Sequence, residues 1–154
     1  MLNSHYTGDS RVRITETLDV FNVRRIAQQI ASNLGFGSVA RGEIAIVVSE
    51  LATNILKYAR TGEIRLRAID TPGLGTGLEI VAEDAGPPLT NLAMAMRDGC
   101  SEHGPILPEH QLGRGGIGGG LGAVIRLTDS FEYRVEPPKK QFCATRYLRR
   151  PKIR

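Results

Sequence analysis

The chain has 154 residues, a net charge of +4, 41% hydrophobic and 23% charged residues, and two cysteines. This composition is typical of a globular domain with a proper core, and it excludes a disordered chain or a disulfide-stapled scaffold. No apolar run approaches the length of a membrane span, and the N-terminus lacks the basic-then-apolar layout of a signal peptide. We therefore expect a cytoplasmic protein in which residues 1–9 are disordered, 10–150 form one domain and 151–154 are a basic tail.

The predicted elements follow one another in the order of an α+β domain. Apolar residues recur with strand or helix periodicity, and glycine and proline mark the turns between them. Helices together with strands on hairpin-length connections indicate a two-layer α/β sandwich, with a mixed, mostly antiparallel sheet and the helices on one face. The elements, in chain order, are a strand at 11–14, helices at 18–34 and 39–59, strands at 64–69 and 78–83, a weak helix at 92–97, a helix at 119–128, and strands at 131–135 and 142–148.

The second predicted helix carries a polar stripe beside its apolar face. Glu50, Asn54 and Lys57 are spaced i, i+4, i+7, so they stack along one side of the helix. Such a stripe at the edge of a buried face is suited to a pocket wall, where an amide oxygen could bind a divalent ion, an amine could bind phosphate and a carboxylate could accept a proton. The alternative is an ordinary amphipathic helix whose polar residues face solvent.

Two later segments favour the pocket over that alternative. The apolar strand at 78–83 runs into an Asp-x-Gly turn formed by Asp84 and Gly86. Residues 113–122 read GRGGIGGGLG and lead directly into the third predicted helix. Glycines that open a helix leave backbone N–H groups accessible to phosphate at the positive helix end. A flexible hinge is the other use of such a loop.

The order of these three motifs resembles the N, G1 and G2 boxes of the GHKL (Bergerat-fold) ATPases, over residues 10–150. A chain with this domain alone is most similar to the anti-sigma factor and serine/threonine kinase branch, and within it to the RsbT-type switch kinases. The resemblance implies a Bergerat fold with a flexible ATP lid within 86–118, ATP and Mg²⁺ as cofactors, and a STAS-domain protein as substrate or antagonist. It also suggests a PP2C-type phosphatase or a sigma factor as further partners, and a homodimer.

The resemblance implies a role for each matching residue. Glu50 corresponds to the general base, Asn54 to the magnesium ligand, and Lys57 to a basic phosphate contact. Asp84 corresponds to the acceptor of the adenine amine, and Gly86 to the residue that lets the base stack close by. The nucleotide phosphates are expected to contact the lid and the second glycine box, through Arg114, Gly116, Gly118, Gly119, Gly120 and Leu121.

The sequence departs from the family pattern at two positions of this site. Pro88 stands where the first glycine box usually has its second glycine, which removes a backbone donor and stiffens the turn. The last strands of the family often begin with Gly-Thr, and the threonine aids adenine recognition. Here the segment reads Lys139-Lys140-Gln141-Phe142, so no threonine is assigned, and Thr145 is expected to be an ordinary strand residue.

The C-terminal segment is strongly basic. Residues 137–154 contain seven of the 20 basic residues and no acidic one. Solubility, docking to an acidic partner and nucleic-acid binding are the three interpretations, and nucleic acid is the least favoured because the charge comes with no aromatic interleaving and no recognised nucleic-acid motif. Two functions remain: a protein serine/threonine kinase acting as a switch in bacterial stress or sigma-factor signalling, and an anti-sigma or partner-switching binder in which ATP only gates affinity.

Overall fold

The computed structural model describes residues 10–88, 100–101, 104–105 and 120–151. The predicted helix at 92–97 and most of the predicted lid lie outside these residues. In chain order the elements are β1 (Ser10–Ile14), α1 (Thr17–Leu34), α2 (Ser38–Tyr58), β2 (Gly62–Thr71), β3 (Gly75–Asp84), β4 (Cys100–Ser101), β5 (Gly104–Pro105), α3 (Gly120–Arg126), β6 (Ser130–Glu136) and β7 (Lys139–Tyr147).

Helix α1 begins and ends at recognisable caps. The Asp19 carboxylate accepts the backbone N–H groups of Thr15 at 2.9 Å and Glu16 at 3.1 Å, so it forms a capping box with the N-cap residue Glu16 and also ties down the residue before it. The helix ends at Gly35, whose φ of 100° is the left-handed conformation that glycine adopts at low cost.

Five strands form one sheet in the order β1-β2-β3-β7-β6, and each neighbouring pair in it is antiparallel. We expected a mixed, mostly antiparallel sheet, whereas the observed five-stranded sheet is purely antiparallel. Helices α1 and α2 pack together and against it, while α3 packs on α2. The core lies between the two layers, and the apolar face of α2 is buried in it as predicted, through Ile44, Val47, Val48, Leu51 and Ile55.

Helix α3 is shorter than predicted. It ends at Arg126 because the Thr128 hydroxyl donates to the Val124 carbonyl at 2.7 Å, which satisfies an acceptor of the last turn. The final two strands connect at Pro137-Pro138, as the proline pair predicts. No helix in the described part of the chain combines the length and the apolarity needed to cross a bilayer.

Candidate functional site

The polar stripe of α2 runs from the core to the surface. Glu50 is only 5% exposed, Asn54 is half-buried and Lys57 is exposed. Because the three residues lie on successive turns of one helix, the stripe presents a desolvated carboxylate, then an amide at the boundary, then an amine in solvent. A carboxylate is seldom buried this deeply in an ordinary amphipathic helix, so the burial of Glu50 favours the pocket over the solvent-facing alternative.

Asp84 ends β3 on the same side of the sheet as the helices. It is 6% exposed, and its Oδ1 accepts the Gly86 backbone N–H at 2.9 Å. A second contact was not predicted: Lys140 is the cross-strand partner of Asp84 in β7, and its Nζ lies 3.5 Å from the same Oδ1. The carboxylate predicted to recognise the adenine base is therefore part of a buried ion pair.

Gly86 packs directly against the end of α2. A Cβ at this position would lie 2.8 Å from the Ala59 Cβ and 2.8 Å from the Tyr58 carbonyl oxygen. This close approach explains the glycine without reference to a ligand, whereas the sequence interpretation assigned it to base stacking. It also brings the Asp-x-Gly turn to the last turn of α2, so the first glycine box and the polar stripe meet at one end of the molecule.

The second glycine box is described only at its end. Gly120 opens α3 with a φ of 53°, and Leu121 is buried in the core beside α2. The Leu121 side chain therefore anchors the helix, whatever its backbone N–H contacts. The remaining residues predicted to contact phosphate lie outside the described part of the chain: Arg114, Gly116, Gly118 and Gly119.

Arg146 fixes α2 and α3 to the sheet. Its Nη1 donates to Glu43 on α2 at 2.8 Å and to the carbonyl of Leu127, just beyond α3, at 3.0 Å. The Arg146 side chain is 8% exposed. The planar guanidinium suits this position because one of its nitrogens can donate to two acceptors. Glu43 lies two helical turns before Glu50 on α2, so Arg146 holds the helix that carries the site.

The basic C-terminal segment is largely used within the fold. Within the described residues, which end at 151, four of its cations form ion pairs with acidic residues from elsewhere in the chain, so the charge is not simply a solvated tail. Both partners of the Lys140 pair are buried, whereas the Arg146 pair joins a buried guanidinium to a half-buried carboxylate. The pairs are Lys139–Glu83, Lys140–Asp84, Arg146–Glu43 and Arg150–Asp129.

The face of the sheet opposite the helices carries a polar groove of about 470 Å³. Arginines and glutamates line it around Cys143, and burial raises the pKa of the Cys143 thiol, so the thiol is protonated at neutral pH. None of the predicted site residues lines this groove. The candidate site is therefore on the helical side of the sheet.

Comparisons with known proteins identify the family of the chain. The model of the histidine kinase-like ATPase domain matches residues 15–145. The serine/threonine-protein kinase RsbT of Bacillus subtilis (strain 168) is 38% identical over 122 residues, which cover 79% of this chain and 83% of RsbT. A chain in the crystal structure of the SiaB–SiaC complex from Pseudomonas aeruginosa has a TM-score of 0.51 at 10% identity, covering 91% of this chain and 89% of that one. This last likeness concerns the fold alone.

Proposed function

The chain belongs to the family of histidine kinase-like ATPase domains, and we propose that it is an ATP-dependent serine/threonine protein kinase of the RsbT type. The observation that carries the proposal is the buried Glu50 one helical turn before the half-buried Asn54. A protein that only sequesters a partner has no need of a desolvated carboxylate in register with a metal-binding amide. The kinase is therefore favoured over the pure binder.

The donor groups of the site suit Mg²⁺ and a purine nucleotide. Mg²⁺ prefers oxygen ligands and keeps several waters, so a single amide oxygen from Asn54 at the protein surface is a sufficient protein contribution when phosphates supply the rest. Asp84 offers a carboxylate for an exocyclic amine beside the end of α2. Lys57 is exposed close to the same helix end, where an ammonium can offset phosphate charge.

When bound, Mg-ATP supplies a transferable γ-phosphoryl group and part of the charge neutralisation that its transfer needs. Glu50 accepts the proton of the substrate serine or threonine hydroxyl as that oxygen bonds to the γ-phosphorus. The bond between the γ-phosphorus and the β,γ-bridging oxygen breaks, and ADP leaves. The burial of Glu50 removes most of the water around its carboxylate and restricts the orientation in which that carboxylate meets the hydroxyl.

The proposed substrate is a small STAS-domain protein in a partner-switching pathway of the bacterial cytoplasm. RsbT, the relative at 38% identity, is named as a serine/threonine kinase, which supports the reaction class. A PP2C-type phosphatase, a sigma factor and a second copy of this chain are the further partners proposed. Phosphorylation adds close to two negative charges to the substrate, which is enough to release a partner from an interface that lacks compensating cations.

The test is to co-purify the bound partner from the native host and to incubate the complex with labelled ATP and Mg²⁺. We expect label on a serine or threonine of the partner, which mass spectrometry would locate. Asn54→Ala should abolish transfer with the fold intact, whereas Asn33→Ala, the same change at an exposed position of α1, should leave it unchanged. A partner that binds tightly and is never labelled would reject the kinase in favour of the binder.

A further inference from the structure

Asp84 and Lys140 lie at one end of the sheet, on the face that the helices cover. They are direct cross-strand partners in the β3–β7 ladder, and side chains at this register point to the same face as the core residues Ala82 and Phe142. Both side chains are only 4% exposed. An acceptor and a donor are thus held side by side, beside the turn of the first glycine box.

The contacts of the Lys140 ammonium leave it able to make one more hydrogen bond. Its Nζ donates one hydrogen bond to the Pro87 carbonyl oxygen at 2.7 Å and forms an ion pair with the Asp84 Oδ1 at 3.5 Å, so at least one of its three N–H groups is not committed to either contact. The Asp84 Oδ1 also accepts the Gly86 N–H. The pair therefore retains one donor on lysine and the second carboxylate oxygen on aspartate for a ligand.

We propose that Lys140 is a specificity-determining residue that donates a hydrogen bond to the N1 atom of adenine while Asp84 accepts one from the adjacent 6-amino group. Adjacent donor and acceptor positions on adenine match an adjacent carboxylate and ammonium. The inference rests on the proposed nucleotide site and adds a base contact in the strand segment where the family often has a threonine and this chain has none. Burying a lysine is costly, and a ligand contact gives a reason to retain it there.

The experiment compares the affinities of ATP and 1-deaza-ATP, in which a C–H replaces N1, by calorimetry with Mg²⁺ present. The wild-type protein should bind 1-deaza-ATP about 10- to 100-fold more weakly, the range expected for one hydrogen bond from a charged donor. Lys140→Met should bind the two nucleotides equally well. Lys139→Met is the matched control, because Lys139 is 62% exposed and pairs with Glu83 on the opposite face; it should discriminate as the wild type does.

Each outcome has a distinct meaning. Equal affinities for ATP and 1-deaza-ATP in the wild type would overturn the contact with N1, even if Lys140→Met failed to fold. Undiminished discrimination in a folded Lys140→Met protein would assign that contact to another residue and would also overturn the inference. Binding of neither nucleotide by the wild type would contradict the proposed kinase itself, and with it everything that rests on its nucleotide site.

Discussion

Replacing Asp84 by asparagine is expected to destabilise the fold as well as to weaken nucleotide binding. The asparagine can still accept the Gly86 N–H, but the buried Lys140 ammonium loses its counter-charge. Breaking one side of a buried ion pair costs about 3–5 kcal/mol. Because the ammonium keeps its 2.7 Å hydrogen bond to Pro87, we expect a loss of free energy of unfolding near the lower limit, about 3 kcal/mol.

Urea denaturation of the unliganded protein measures this loss as a shift in midpoint at constant slope. The double variant Asp84→Asn with Lys140→Met removes both charges and should recover most of the loss, leaving about 1 kcal/mol for the unpaired Pro87 carbonyl. Glu79→Gln is the control on the same strand. Glu79 pairs with Arg67 on the opposite face of the sheet, where the Arg67 side chain is 54% exposed. Its loss of free energy of unfolding should therefore stay below about 1 kcal/mol. If Asp84→Asn and Glu79→Gln cost the same, the buried pair has no special role in stability.

Two further predictions concern local structure. Gly86→Ala should destabilise the protein by about 1–3 kcal/mol in the same urea assay, because the added methyl group meets Ala59 and backbone atoms that cannot move aside. Gly42→Ala is the control: no atom lies within 4 Å of the added methyl group, so this change should be neutral or stabilising. Equal effects of the two substitutions on stability would refute the close packing at Gly86. Asp19 tests pH dependence: hydrogen bonds, first of all from the Thr15 N–H, hold its pKa below the ordinary value of 3.8. A lowered carboxyl pKa contributes stability above the unfolded pKa and loses it as pH falls through the folded pKa. The melting temperature of Asp19→Ala should therefore lie below that of wild type at pH 7 and converge with it in strong acid; a gap independent of pH would show that the charge is not responsible.

The elements of this fold follow from local patterns, and its polar contacts do not. Hydrophobic periodicity identifies α1 and α2, because burial of one helix face repeats along the sequence. The basic run that includes Lys140 and Arg146 carries no comparable signal. Both residues alternate with apolar neighbours in β7, and only the register with β3 and the packing of α2 reveal that their charges are paired and buried.

Gly86 illustrates the same limit at the site. The Asp-x-Gly motif predicts a turn with an important glycine, but the reason for the glycine depends on where the end of α2 lies in space. Glu50 is a contrasting case. Its position in the helical stripe predicts a boundary location, whereas in the folded chain the side chain is only 5% exposed.

The central claim is that Glu50 is the base of a protein kinase, and the most direct measurement is phosphotransfer to the co-purified partner by Glu50→Gln. This change keeps the size and polarity of the side chain and removes its ability to take a proton, so ATP and partner affinities should persist. Transfer should fall by about 10²–10⁴-fold, the usual contribution of a positioned general base. Glu132→Gln, the same change at a 59% exposed position of β6, should transfer at the wild-type rate. Transfer by Glu50→Gln at the wild-type rate would contradict the assignment of Glu50 as the base.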